Sequence, residues 1–128
     1  MIVQRFTSGL GNQMFQYAFS VYISKKYPDK IIKADLTWFD WHNEHQGFEL
    51  ERLFRLNMNK ASRAEVLKCS GELPLDFPAA RYVNRAIRLV AEKYFIKYRI
   101  DEMKPGQTVD LRHNWYLTGF YESEAFYK

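Results

Sequence analysis

From Ile2 to Leu36 the chain alternates strand-like and helix-like stretches around a glycine-rich turn, and this order restricts the fold more than any other feature. Ile2 to Phe6 predicts a short strand, with apolar Ile2, Val3 and Phe6 and turn residues directly behind them. Thr7-Ser8-Gly9-Leu10-Gly11-Asn12 is the turn, and Asn12 is a good helix N-cap. A helix is expected from Gln13 to about Tyr27, stopped by Pro28. Its polar residues Gln13, Gln16, Ser20 and Ser24 share one narrow stripe, and everything else up to Ile23 is apolar. A helix apolar on most sides is buried on most sides, here between a sheet and another layer. Asp29-Lys30 turns the chain into a second strand, Ile31 to Leu36. Strand, turn, helix, strand is a βαβ unit, whose outcome is a parallel pair joined by a crossover.

The remainder extends the same class. Residues 37–47 are irregular and rich in Trp and His, and Phe48 to Leu56 fits a short helix or a packed loop. Ala61 to Cys69 predicts a helix with Ser62 as its cap, followed by a Pro/Gly loop from Gly71 to Pro78. Ala79 to about Met103 predicts a long helix. Tyr82, Val83, Ala86, Ile87, Leu89, Val90 and Tyr94 form its apolar face, opposite Arg81, Arg85, Arg88 and Glu92. Tyr82, Ala86, Val90 and Tyr94 are expected to pack inward. Trp115 to Tyr121 predicts a third strand, and Glu122 to Lys128 a helical start. The expected fold is α/β and Rossmann-like, a single region over residues 1–128.

A length of 128 residues suits one domain, and 17% aromatic content excludes a disordered tail while providing a core. A single cysteine, Cys69, excludes an internal disulfide framework and a Cys-rich zinc site. No secretory signal is visible. The most apolar stretch, Met14 to Ile23, is about half of the ~20 residues that span a bilayer, which points to a cytoplasmic protein. The net charge of +4 is concentrated: residues 81–99 hold six basic residues against Glu92 alone. Such a segment is either a solvated helix face or a contact for an anionic ligand or membrane surface.

Gly9-Leu10-Gly11-Asn12-Gln13, between strand and helix, is the strongest chemical constellation. Glycines allow close approach, and the first helical N–H groups are free to hold an anion. The spacing is neither the dinucleotide fingerprint nor a P-loop. A tight βα turn needing glycine geometry explains it equally well. Asp35, Asp40, Glu44, His42 and His45 follow the second strand, where open α/β sheets bind ligands. Asp35 suits either an acceptor-side carboxylate or a turn partner. Trp38, Phe39 and Trp41 suit either sugar stacking or packing. His42 and His45 lack the companions of a metal site, and none is expected.

Ser8-Gly9-Leu10-Gly11-Asn12-Gln13-Met14-Phe15-Gln16-Tyr17-Ala18 resembles the opening of the α-1,2-fucosyltransferases of glycosyltransferase family 11, with Ser8 in place of the first of two glycines. Three further patches are similar in the same order. They are Ala34-Asp35-Leu36-Thr37-Trp38-Phe39, Gly47-Phe48-Glu49-Leu50-Glu51-Arg52-Leu53-Phe54, and Tyr116-Leu117-Thr118-Gly119-Phe120-Tyr121-Glu122-Ser123-Glu124. The last carries Glu122 where the family usually has Gln.

The resemblance implies the amino-terminal half of an enzyme with two Rossmann-like domains. That enzyme would move L-fucose from GDP-fucose to the 2-hydroxyl of a galactoside, inverting the anomeric centre without metal or cofactor. Gly9, Gly11, Asn12 and Gln13 would contact the donor, and Asp35, Trp38 and Trp41 the acceptor. The catalytic base is not identified. The family's His-x-Arg-Arg-x-Asp motif for GDP-fucose lies in a carboxy-terminal half that these residues do not contain. The 128 residues alone are therefore expected not to transfer fucose detectably. The partners implied are a nucleotide sugar and a glycan rather than nucleic acid, with peripheral membrane contact through the basic segment. The rival reading is a non-catalytic sugar- or nucleotide-binding module, or a truncated inactive relic.

Overall fold

A computed structural model describes residues 1–42, 45–72, 77–94, 99–110 and 112–127. Four strands, β1 (Ile2–Arg5), β2 (Ile32–Asp35), β3 (Arg99–Asp101) and β4 (Trp115–Thr118), form one sheet in the order β2-β1-β4-β3. Every neighbouring pair is parallel, with Ile2 opposite Ile32 and Trp115, and Ile100 opposite Leu117. The expected βαβ unit is present: α1 (Leu10–Lys26) carries the chain from β1 to β2. The arrangement is α/β and Rossmann-like.

Alternation along β1 assigns the layers. Ile2 joins Phe19 and Ile23 of α1, together with Leu117, Tyr121 and Phe126, in the larger core cluster. Val3 points the other way, to Val66 and Cys69 of α3 (Arg63–Ser70) and to Tyr116. A third cluster gathers Phe6, Ala34 and Leu50, the last from the short α2 (Leu50–Phe54). The α3 start is as read from sequence. Ser62 accepts from the Glu65 N–H while the Glu65 carboxylate accepts from the Ser62 N–H, a reciprocal capping box.

Several expectations are corrected. First, α1 is not buried on most sides. Gln13, Gln16, Phe19 and Ile23 face inward, whereas Met14 and Phe15 are 48% and 41% exposed. Gln13 and Gln16 of the polar stripe turn inward because their amides find backbone partners in the loops at the carboxyl edge of the sheet. Second, the helix beginning near Ala79 is shorter, α4 (Ala80–Tyr94), and Arg99–Asp101 is the edge strand β3. Ladder bonds to β4 override the local helical pattern there. Residues 95–98, including Lys97, and the side chains of Glu92 and Tyr94 lie outside the described residues. Third, Tyr82, Ala86 and Val90 of α4 do not pack inward. Tyr82, Leu89 and Val90 are about three-fifths exposed, at 60%, 61% and 58%, and Ala86 is exposed too. The helix rests instead on Ala80, with Ile87 and Arg88 half-buried, and Arg88 pairs with Glu72 at 3.1 Å. The strand expected at the carboxyl end stops at Thr118, and a single 3-10 turn, Glu124–Phe126, stands where a helical start was expected.

Candidate functional site

The carboxyl ends of β1 and β4 lie side by side in mid-sheet, with the amino end of α1 above them. In open parallel sheets, the crevice outside neighbouring strands whose connections diverge is where ligands bind. Here β1 connects to β2 on one side and pairs with β4 on the other.

A set of glutamines holds this edge together. Gln16 accepts from the Thr7 N–H at 3.0 Å and donates to the Gly119 carbonyl at 3.1 Å, joining α1 to the loops after β1 and β4. Gln4 donates to the Gln16 carbonyl and accepts from Ser20, both at 2.6 Å. Gln13 is fully buried. Its amide donates to the carbonyls of Ser8 and Gly47, each at 2.9 Å, and accepts from the Glu49 N–H at 3.0 Å. Its side chain therefore fixes the 47–49 loop against the turn and is closed off from solvent.

The glycine turn also differs from its sequence reading. The N-cap is Gly9 rather than Asn12, and no side chain caps the helix, so the N–H groups of its first turn are not met by a cap. A Cβ on Gly9 would sit 3.3 Å from His45 Nδ1, so the close packing of that ring explains the glycine. Gly11 is helical, with open space where a Cβ would go. Among the described residues the Asn12 side chain has no hydrogen-bond partner. Left-handed backbone falls at Ser8, with φ of 68°, the position where the resembling family carries glycine. Ser8→Gly is expected to raise unfolding free energy by about 0.5–1 kcal/mol in urea titrations, the relief of left-handed strain exceeding glycine's entropic cost.

On the opposite face of the sheet, Asp35 is 1% exposed. Its Oδ1 accepts from the Thr37 N–H and hydroxyl at 2.9 and 2.7 Å, and its Oδ2 accepts from the Tyr116 hydroxyl at 2.5 Å. Asp35 thus ties β2 to β4 across β1, and it is not open to an acceptor. Burial, and then the neighbouring Asp35 charge, push the Tyr116 hydroxyl well above the usual phenol range, while Arg5 opposes this. The phenol stays protonated and remains a donor. Arg5 lies in register with Asp35 and lines a cavity of about 220 Å³ with Thr7, Thr118, Gly119 and Phe120.

The aromatic loop forms a separate group. Trp38 is half-buried and stacks on His42 with ring centres 4.2 Å apart, and His42 Nδ1 lies 2.9 Å from the Trp38 carbonyl. Trp41 is 44% exposed and Asp40 pairs with Arg63 at 3.3 Å. Glu44 lies outside the described residues. No group of three potential metal ligands occurs among the described residues.

Sequence reasoning missed Arg5, Tyr116 and the linking role of Gln4 and Gln16. The available signal was the 13-16-20 spacing, which marks one helix face, together with a charged residue ending a buried strand.

No family model matches the chain, and no solved structure matches it. Among curated proteins, the alpha-1,2-colitosyltransferase of Escherichia coli is 26% identical over 99% of this chain. The chain spans 41% of that relative's length. The chain is thus similar to part of a glycosyltransferase.

Proposed function

We propose that these residues are the amino-terminal half of an enzyme with two Rossmann-like domains, which transfers L-fucose from GDP-fucose to the 2-hydroxyl of a galactoside. Transfer would invert the anomeric centre and use no metal. The observation that carries this reading is similarity along 99% of the chain to an enzyme named for α-1,2 transfer of a sugar. The sheet edge beside an uncapped α1 supports it, since free helical N–H groups suit the charge that develops on a departing diphosphate. The test is a radiolabelled GDP-fucose assay with a galactoside acceptor, run beside nucleotide-activated colitose. Residues 1–128 are expected to give no sustained turnover, and a polypeptide extended by a half carrying His-x-Arg-Arg-x-Asp is expected to give it. Donor binding without turnover in the extended protein would favour the binding-module reading.

Gly11 and Asn12 allow a clean test of the donor contact. Gly11→Ala adds a methyl group to open space on a helical backbone, so the fold should gain up to about 1 kcal/mol. In the polypeptide extended by the second half, reduced GDP-fucose affinity in this variant and in Asn12→Ala, with melting temperature held or raised, is the expected result by parallel calorimetry and titration. Unchanged affinity in both would remove them from the donor site.

We further infer that α4 docks on an anionic membrane surface. Its exposed Tyr82, Leu89 and Val90 lie beside the exposed Arg81 and Arg85, as in helices that lie in a bilayer interface. Among the described residues no helix is long and apolar enough to cross a membrane. Flotation with phosphatidylglycerol vesicles is expected to carry the protein, and Leu89→Glu/Val90→Glu to abolish this without loss of stability. Equal recovery with neutral phosphatidylcholine vesicles would refute the charge contribution.

A further inference from the structure

We propose that the cavity between the carboxyl ends of β1 and β4 binds an oxyanion, a carboxylate or a phosphate, whose charge is met by the Arg5 guanidinium. The inference stands on the geometry of Arg5 and does not depend on the transfer reaction above.

A row of polar residues crosses the sheet at this edge. Arg5 of β1 is in register with Asp35 of β2, and Thr118 of β4 with Asp101 of β3. The carboxylates at the two ends of the row are engaged by other donors. Asp35 receives Thr37 and Tyr116. Asp101 receives the Thr118 hydroxyl at 2.8 Å and Arg99 Nε at 2.9 Å. Arg99 itself pairs with Glu72 at 3.0 Å. Among the described residues Arg5 has no carboxylate within ion-pair distance, and its Nε is buried without a hydrogen-bond partner.

A half-buried guanidinium in this position is costly unless something of opposite charge completes it. Its planar fork matches a carboxylate or phosphate better than it matches a neutral hydroxyl. The surroundings leave room for such a group. The cavity of about 220 Å³ is bounded by Thr7 and Thr118 and by Phe120, which is 45% exposed. Gly119, with φ of 143°, shapes its floor, and its carbonyl is tied to Gln16. The site is therefore held by both α1 and the sheet before any ligand arrives. Phe120 offers an apolar plane on which a pyranose ring bearing the anion could rest.

The test is a calorimetric and thermal-shift titration of the protein with inorganic phosphate, glucuronate, glucose and GDP. Phosphate and glucuronate are expected to bind and to raise the melting temperature, and glucose is not. Arg5→Gln is expected to weaken phosphate binding at least tenfold, and Arg5→Lys to retain part of it. If Arg5→Gln does not fold, Arg5→Lys and Phe120→Ala carry the comparison, the first weakening phosphate and glucuronate alike, the second glucuronate only. Tighter binding of GDP than of glucuronate, lost in Arg5→Lys, would identify a nucleotide diphosphate as the source of the anion. The reverse order would identify an acidic sugar. Phosphate affinity unaltered in Arg5→Gln and Arg5→Lys, or equal binding of glucose and glucuronate, would overturn the proposal. Absence of fucose transfer by the extended polypeptide, with phosphate binding intact, would count against the enzyme reading alone.

Discussion

Phe19→Ala is expected to lower the unfolding free energy by about 3–5 kcal/mol, the range for removing a large aromatic from a closed core. Phe19 is fully buried and stacks on Tyr121, with ring centres 3.6 Å apart and planes 2° from parallel. Phe126 meets it edge-on at 5.1 Å. These three rings bring together α1, the loop after β4 and the final 3-10 turn, so the truncation opens a cavity between segments far apart in sequence. The neighbours cannot easily collapse into it. Tyr121 is held by its hydroxyl on the Thr118 carbonyl at 2.6 Å, and the Phe120 and Tyr121 N–H groups donate to Glu102 at 3.0 and 3.3 Å. Urea denaturation of wild type, Phe19→Leu and Phe19→Ala checks this, with Leu falling between the other two. A loss below about 1 kcal/mol for Ala would mean that the stack contributes little beyond surface packing.

Gln13→Ala is expected to cost at least about 3 kcal/mol, because it strips partners from three backbone groups around a buried side chain. Two are carbonyls, of Ser8 and Gly47, and the third is the Glu49 N–H. Gln13→Glu should also fail. A carboxylate can accept from Glu49, but it cannot donate to two carbonyls, and it brings a charge into a buried site. The 47–49 loop, and with it His45 above Gly9, should loosen in both variants. The measurement is denaturant stability alongside GDP-fucose titration. A Gln13→Ala protein with wild-type stability and weakened donor binding would return Gln13 to the ligand side of the turn.

Tyr116 contributes to the pH response at the alkaline end. Its folded value is raised, so the folded protein keeps a proton that the unfolded chain releases above about pH 10. That contribution is complete below pH 10 and declines as the pH rises beyond it.

Much of the outline was legible in sequence because it is written in local chemistry. The apolar start of β1, the turn, Pro28 and the second apolar run specify strand, helix and parallel strand in order. Ser62 and Glu65 three residues apart announce the start of α3, and the structure forms both bonds of that box. The candidate site was legible only as a location. Gly9 and Gly11 mark a place of close approach, but the reason for Gly9 is a histidine ring thirty-six residues away. Nothing near Asp35 in sequence indicates that Tyr116 would reach it across an intervening strand.

What the sequence determined by itself was the α/β class, the parallel β1–β2 pair and the α3 cap, since each depends on turn chemistry, capping and β-branched runs within a few residues. What the tertiary structure decided was which face turns inward. Periodicity defines the faces of α1 and α4 but does not say which neighbours cover them. On α1 the glutamine face won, because backbone groups of the turn after β1, the 47–49 loop and the loop after β4 satisfy its amides, leaving Met14 and Phe15 outside. On α4 Tyr82, Ala86, Leu89 and Val90 stay exposed, because contact is made on the side of Ala80 and Ile87. Arg99–Asp101 became a strand because the edge of β4 offers ladder bonds that a helix could not use. Burial of a polar group is favourable only when its partners are present, and those partners come from residues distant in sequence.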